Sequence, residues 1–96
     1  MSGHYDRQGQ PIDLMTWAKR LESDRRVAKT TLADGKWINT VWLGLDHGFG
    51  GGPPLIFETM VFPSKDDMGD LDCERYSTEA EAVAGHAAMV EKWGAK

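Results

Sequence analysis

Residues 37–62 read WINTVWLGLDHGFGGGPPLIFETMVF, two apolar runs either side of a loop rich in glycine and ending in two prolines. Both runs are dense in β-branched and aromatic side chains, which suit a pleated, half-buried surface. The stretch therefore predicts one strand over 36–46, a loop over 47–54 and a second strand over 55–62. Pro63 lacks the N–H that a ladder needs and closes the second strand. Side chains alternate between faces, so pairing of like parities would gather Val41, Leu43, Leu45, Leu55, Phe57 and Val61 on a face turned to the helices. The opposite face would then hold Ile38, Thr40, Trp42, Ile56, Glu58, Met60 and Phe62, too apolar to stand in water. A cover is expected for it: a second helix, a second copy of the chain, or a ligand.

Working outward, Val27 to Ala33 predicts a preceding strand, and Asp34-Gly35 a two-residue hairpin turn with positive φ at both positions. Before it, Asp13 can cap a helix in which Leu14, Trp17, Ala18 and Leu21 recur at i, i+3, i+4 and i+7 as a buried stripe, with an end between Ser23 and Arg26. Beyond Pro63 come an acidic loop over 64–72 and a short fourth strand from Cys73 to Ser77. Thr78 and Glu81 form a capping box that opens the last helix, and Gly94 lies where it should stop. Ala80, Val83, Ala87 and Val90 are its expected buried stripe, with His86 and Trp93 on the shoulder. The polar opening, residues 1–11, reads as an arm that stays mobile unless it docks. The order of elements predicts a single α+β domain over 1–96, a three- to four-stranded antiparallel meander packed with an N-terminal and a C-terminal helix.

Composition narrows the functional classes. The chain of 96 residues is 41% hydrophobic and 27% charged, within the range of a globular domain. A net charge of −4 repels phosphate backbones and makes nucleic acid an unfavoured partner. Lys19, Arg20, Arg25, Arg26 and Lys29 are the one basic cluster, expected mostly at the solvated side and C-terminal end of the first helix. Cys73 is the single cysteine, so no internal disulfide forms, and no leader or membrane-spanning run is apparent; a cytoplasmic protein without membrane association is expected.

The glycine loop is the leading candidate site, since backbone without Cβ can approach a ligand and present N–H groups to it. The expected ligand-binding residues are Trp42, Asp46, His47, Gly48, Phe49, Gly50, Gly51, Gly52 and Glu58. The loop fits neither the P-loop nor the dinucleotide fingerprint. His4, His47, His86 and Cys73 are too scattered for a metal motif, and Asp66, Asp67, Asp70 and Asp72 lack EF-hand spacing, so neither metal nor cofactor is expected. His86 is expected to be a hydrogen-bonded boundary residue and Asp46 a turn cap.

Three segments carry a resemblance to a family: Trp42-Leu43-Gly44-Leu45-Asp46-His47, the run from Gly52 to Met60, and Tyr76 to Ala82 with Gly85-His86. Together with the opening Tyr5 to Ile12 and Trp17-Ala18, they resemble a group of short uncharacterised proteins encoded by bacteriophages and prophages. The resemblance spans nearly the whole chain and implies a setting, the cytoplasm of a bacterial host, and no activity. In that setting the expectation is a non-enzymatic accessory protein, a homodimer, that binds a host protein or a small signalling metabolite, with a host defence component as one target. Two alternatives are a small hydrolase or isomerase with His47 as general base oriented by Asp46 or Glu58, and a virion structural component.

Overall fold

The computed structural model describes residues 3–46, 52–67 and 69–94. Its elements are α1 (Leu14–Ser23), β1 (Arg26–Thr31), β2 (Trp37–Trp42), β3 (Phe57–Phe62), β4 (Asp72–Tyr76) and α2 (Glu79–Gly94). The strands form one antiparallel sheet in the order β1-β2-β3-β4, so the expected α+β meander is the fold.

The register overturns the expected pairing of like parities: β3 turns Phe57 and Val61 to the helix face as expected, while β2 turns Ile38, Thr40 and Trp42 there in place of Val41. Ile38 lies opposite Val61, Thr40 opposite Thr59 and Trp42 opposite Phe57, so residues of unlike parity share a face. An even number of residues separates Trp42 from Phe57, and an antiparallel pair joined that way sets even positions beside odd ones. Helix α2 lies across this mixed face and touches all four strands. Ile38, Trp42, Phe57 and Val61 are fully buried there, each burial worth roughly 1.5–3 kcal/mol. The opposite face carries Trp37, Asn39 and Val41 from β2 with Glu58, Met60 and Phe62 from β3. Leu43, Leu45 and Leu55 lie beyond the ends of β2 and β3 and are half-buried.

Hairpin β1–β2 closes through three residues instead of two. The Leu32 N–H donates to the Lys36 carbonyl at 2.7 Å and the Gly35 N–H to the Leu32 carbonyl at 3.0 Å. Gly35 has φ 95° and no non-glycine residue among the described residues has positive φ, so Asp34 stays out of the left-handed region and glycine supplies it. The opening segment is docked. The Tyr5 N–H reaches the Gly44 carbonyl at 2.8 Å, and the Asp6 carboxylate takes the N–H groups of Gln8 and Gln10, both at 2.9 Å. Arg7 then joins three elements, with Nε to Glu79 at 2.7 Å and Nη1 to Asp24 at 3.1 Å.

Both helices open as expected. Asp13 accepts from the Thr16 N–H at 2.7 Å, and Thr78 and Glu81 exchange reciprocal bonds at 3.1 Å. Their buried stripes differ from expectation. Helix α1 has no fully buried residue, Leu14 is 58% exposed, and Trp17 and Leu21 alone of the expected stripe are half-buried. In α2 the buried residues are Ala82, His86 and Met89, while Val83 is 54% exposed and Ala80 and Ala87 face water. The cause is Tyr76: its ring lies on α2 so closely that a Cβ on Gly85 would overlap the ring and hydroxyl, which turns the Gly85 side of the helix to the sheet.

A polar seam runs through this interface. His86 Nδ1 bonds the Thr40 hydroxyl at 2.7 Å and Nε2 the Thr30 hydroxyl at 2.8 Å, while the Thr40 and Thr59 hydroxyls bond each other. Burial pushes the His86 pKa down, and a neutral ring with one donor and one acceptor nitrogen satisfies both threonines. It divides a cluster of Trp42, Ile56, Phe57, Tyr76 and Ala82 from one of Ile38, Val61 and Met89.

Two stability measurements check this packing. Replacing an interior helical glycine by alanine ordinarily gains about 1 kcal/mol. Gly85→Ala is instead expected to lose about 1–3 kcal/mol in urea unfolding, because Tyr76 has nowhere to go. The unfolded chain protonates His86 near its ordinary 6.5 while the folded chain resists. Below that pH the unfolded state binds more protons, so the urea midpoint should fall between about pH 7 and about pH 5. His86→Gln should flatten this slope. Asp72, held low by Lys92 and Trp93, loses its contribution only as pH falls toward and below its ordinary 3.8.

Candidate functional site

The structure separates the residues that the sequence grouped into one site. Trp42 is fully buried against α2, with Nε1 donating to the Tyr5 carbonyl at 3.1 Å, so it offers no surface for stacking. Glu58 lies on the opposite face, paired with Arg75 Nε at 2.9 Å and 3.7 Å from Cys73 Sγ. Trp42 and Glu58 therefore cannot grip one ligand. Asp46 accepts from the Leu55 N–H at 2.9 Å and thereby closes the base of the glycine loop. Gly52 is exposed at the far side of that loop, and His47, Gly48, Phe49, Gly50 and Gly51 lie outside the described residues. Burial and the Glu58 carboxylate both raise the Cys73 thiol pKa, which disfavours the thiolate.

What the structure assembles instead is a cleft of about 580 Å³ between α1 and the open sheet face. Its apolar wall is Trp17 and Leu21 from the helix with Val41, Leu43 and Leu45 from the sheet side. Trp17 is anchored by an indole N–H to the Leu43 carbonyl at 2.9 Å. Gly44, at φ 72°, makes this approach possible, since a Cβ there would run into the rings of both Trp17 and Trp42. The polar lining comprises the half-buried Asn39 and the exposed Glu22, Ser23, Arg25 and Arg26.

The strand β1 carries the device that aims one of these arginines. Arg26 lies opposite Val41, and after an irregularity Ala28 lies opposite Thr40 and Lys29 opposite Asn39. This bulge puts Arg26 and Lys29 on the same open face, where unbroken alternation would have kept Arg26 with Ala28. Neither Arg25 nor Arg26 has a side-chain hydrogen bond or ion pair among the described residues. The nearest acid in sequence, Asp24, is already taken by Arg7. The basic cluster is solvated as expected, but Arg25 follows the end of α1 and Arg26 opens β1, so these two exposed arginines line the cleft instead of ending the helix.

A second depression, of about 690 Å³, lies at the other end of the same face between Lys29, Trp37 and Lys65. Trp37 stacks on Phe62 with centroids 4.5 Å apart, donates to the Ser64 carbonyl at 2.9 Å and carries Lys29 Nζ 5.1 Å above its ring. Its aromatic surface is thus largely used within the fold.

Among the described residues no cluster of three or more potential metal ligands forms, and no helix is long and apolar enough to cross a membrane. The chain matches no protein-family model, no curated protein and no solved structure.

The cleft holds hydrogen-bond donors and apolar carbon, equipment for holding a molecule. Sequence inspection missed Arg25, Arg26, Asn39 and Trp17 as a group because the bulge and the unlike-parity register, which bring them together, leave no local signal. Gly44→Ala should break the cleft at its hinge: strain at positive φ adds to the clash with two indoles, and a loss of about 2 kcal/mol or more is expected in urea unfolding. A redder Trp17 emission should accompany it.

Proposed function

We propose that the protein is a non-enzymatic binding protein, an accessory factor of bacteriophage or prophage type that acts in the host cytoplasm on a host component, with a defence protein as the target class. The observation that carries this proposal is the uncovered sheet face. Helix α2 occupies one side of the sheet, and α1 stands at a corner, leaving Asn39, Val41 and Met60 half-buried with no helix or strand laid over them among the described residues. Apolar carbon held at an open face with basic side chains beside it is the composition of a recognition surface. The same face supports self-association, because two copies could bury it against each other.

The hydrolase alternative has weaker support. Of the groups expected to orient His47, Glu58 is committed to Arg75 and Asp46 accepts from the Leu55 N–H, while His47 itself lies outside the described residues. The virion alternative would use the same open face as a subunit contact.

A photo-crosslinker placed on each side of the molecule tests the proposal. Met60→p-benzoylphenylalanine is expected to yield a discrete adduct in host lysate, to a host protein or to a second copy. Ala84→p-benzoylphenylalanine, on the exposed side of α2, should yield none. Adducts from position 84 with none from position 60 would contradict it.

A further inference from the structure

We infer that the cleft between α1 and the β1–β2 corner is a binding site for an amphipathic carboxylate, a molecule with an apolar body and one negatively charged head. The inference rests on the protein being a binder and names the ligand chemistry of part of its open face.

Size is the first support, since about 580 Å³ falls in the range of clefts that hold small molecules, roughly 300–1,000 Å³. Trp17, Leu21, Val41, Leu43 and Leu45 give that space a hydrocarbon wall, which selects an apolar body. Charge is the second. The chain has 15 acidic and 11 basic residues, an excess of carboxylates. Arg25 and Arg26, both exposed, have no carboxylate partner among the described residues, as is true of Lys19, Arg20, Lys29 and Lys65; what sets the two arginines apart is that they lie next to each other on the lining of an apolar cleft. A guanidinium is weakly hydrated and its forked donors match a carboxylate, so an unpaired pair of them beside apolar carbon fits an organic anion.

Two details of the backbone and side chains sharpen the fit. The bulge after Arg26 turns this side chain to the open face, and bulges are a means by which strands re-aim a residue beside a site. Asn39 has its Oδ1 sealed from solvent without a hydrogen-bond partner, and its amide nitrogen makes no bond either. With the acceptor occluded, the NH₂ group is the part of the amide left to meet a ligand, and it is a donor. Three unengaged donor groups therefore line one apolar cleft. Glu22, on the same lining, offsets one of the two positive charges and so favours a singly charged head over a multivalent one.

The test is a titration of the ¹⁵N-labelled chain with decanoate, with decanol as its uncharged counterpart and acetate as the head group alone. Decanoate is expected to move the Trp17 indole and Asn39 side-chain resonances saturably. Decanol and acetate should each bind at least about tenfold more weakly. Arg25→Gln and Arg26→Gln together should reduce decanoate affinity by about tenfold or more while leaving the spectrum dispersed, and Lys65→Gln, in the other depression, should leave it unchanged. Equal binding of decanoate and decanol would overturn the inference. So would full affinity in the double variant, or shifts centred on Trp37 and Lys65. Failure here alongside a position-60 adduct in lysate would remove the ligand assignment and leave the open face as a protein-binding surface.

Discussion

The pairing of β2 with β3 is the constraint from which the rest of the molecule follows. Setting Trp42 against Phe57 and Ile38 against Val61 puts the fully buried apolar side chains of both strands on one face, where α2 covers them. A slip of one residue would exchange every side chain between core and surface. The seam of Thr30, His86, Thr40 and Thr59 reinforces the same register. Its hydrogen bonds form only with these threonines facing the helix, and a polar group buried without its partner costs free energy. Gly85 and Tyr76 then set how α2 sits on the sheet.

Because one face takes α2, the placement of α1 decides what the other face becomes. Trp17 ties α1 to the corner at Leu43 and Gly44, past the end of β2, and Arg7 holds the end of α1 near β1 and α2. The helix stands beside the open face and forms a wall to it. The cleft is the product: apolar where α1 and β2 diverge, basic where the chain turns from α1 into β1. In a protein of net charge −4, two adjacent arginines on the lining of the cleft make a local basic spot set against the overall field.

Much of this was legible in residue order. Asp13, Asp34-Gly35, Pro63 and Thr78-x-x-Glu81 are punctuation with local physics, and each marks an element boundary in the structure. The facing of β3 was legible too, but that of β2 was not, because it depends on the register across the loop between Trp42 and Phe57, a non-local quantity. The stripe of α2 misled for a related reason. An alanine-rich helix has little amphipathic contrast, and the ring of Tyr76 decided its rotation. At the site, Asp46 kept the turn-closing role that a strand-end aspartate suggests, whereas Trp42 went to the core. The arginines became neighbours of Asn39 and Val41 through a bulge whose sequence, Arg26-Val27-Ala28, looks like ordinary strand.

Hydroxyl-radical footprinting of the dilute, isolated chain, read residue by residue by mass spectrometry, tests the two-faced sheet most directly. The register predicts modification of Met60 and Trp37 well above that of Met89 and Trp42, with Met15 on α1 as the exposed standard. Labelling of Trp42 and Met89 as fast as Trp37 and Met60, in a chain with native circular dichroism, would contradict it.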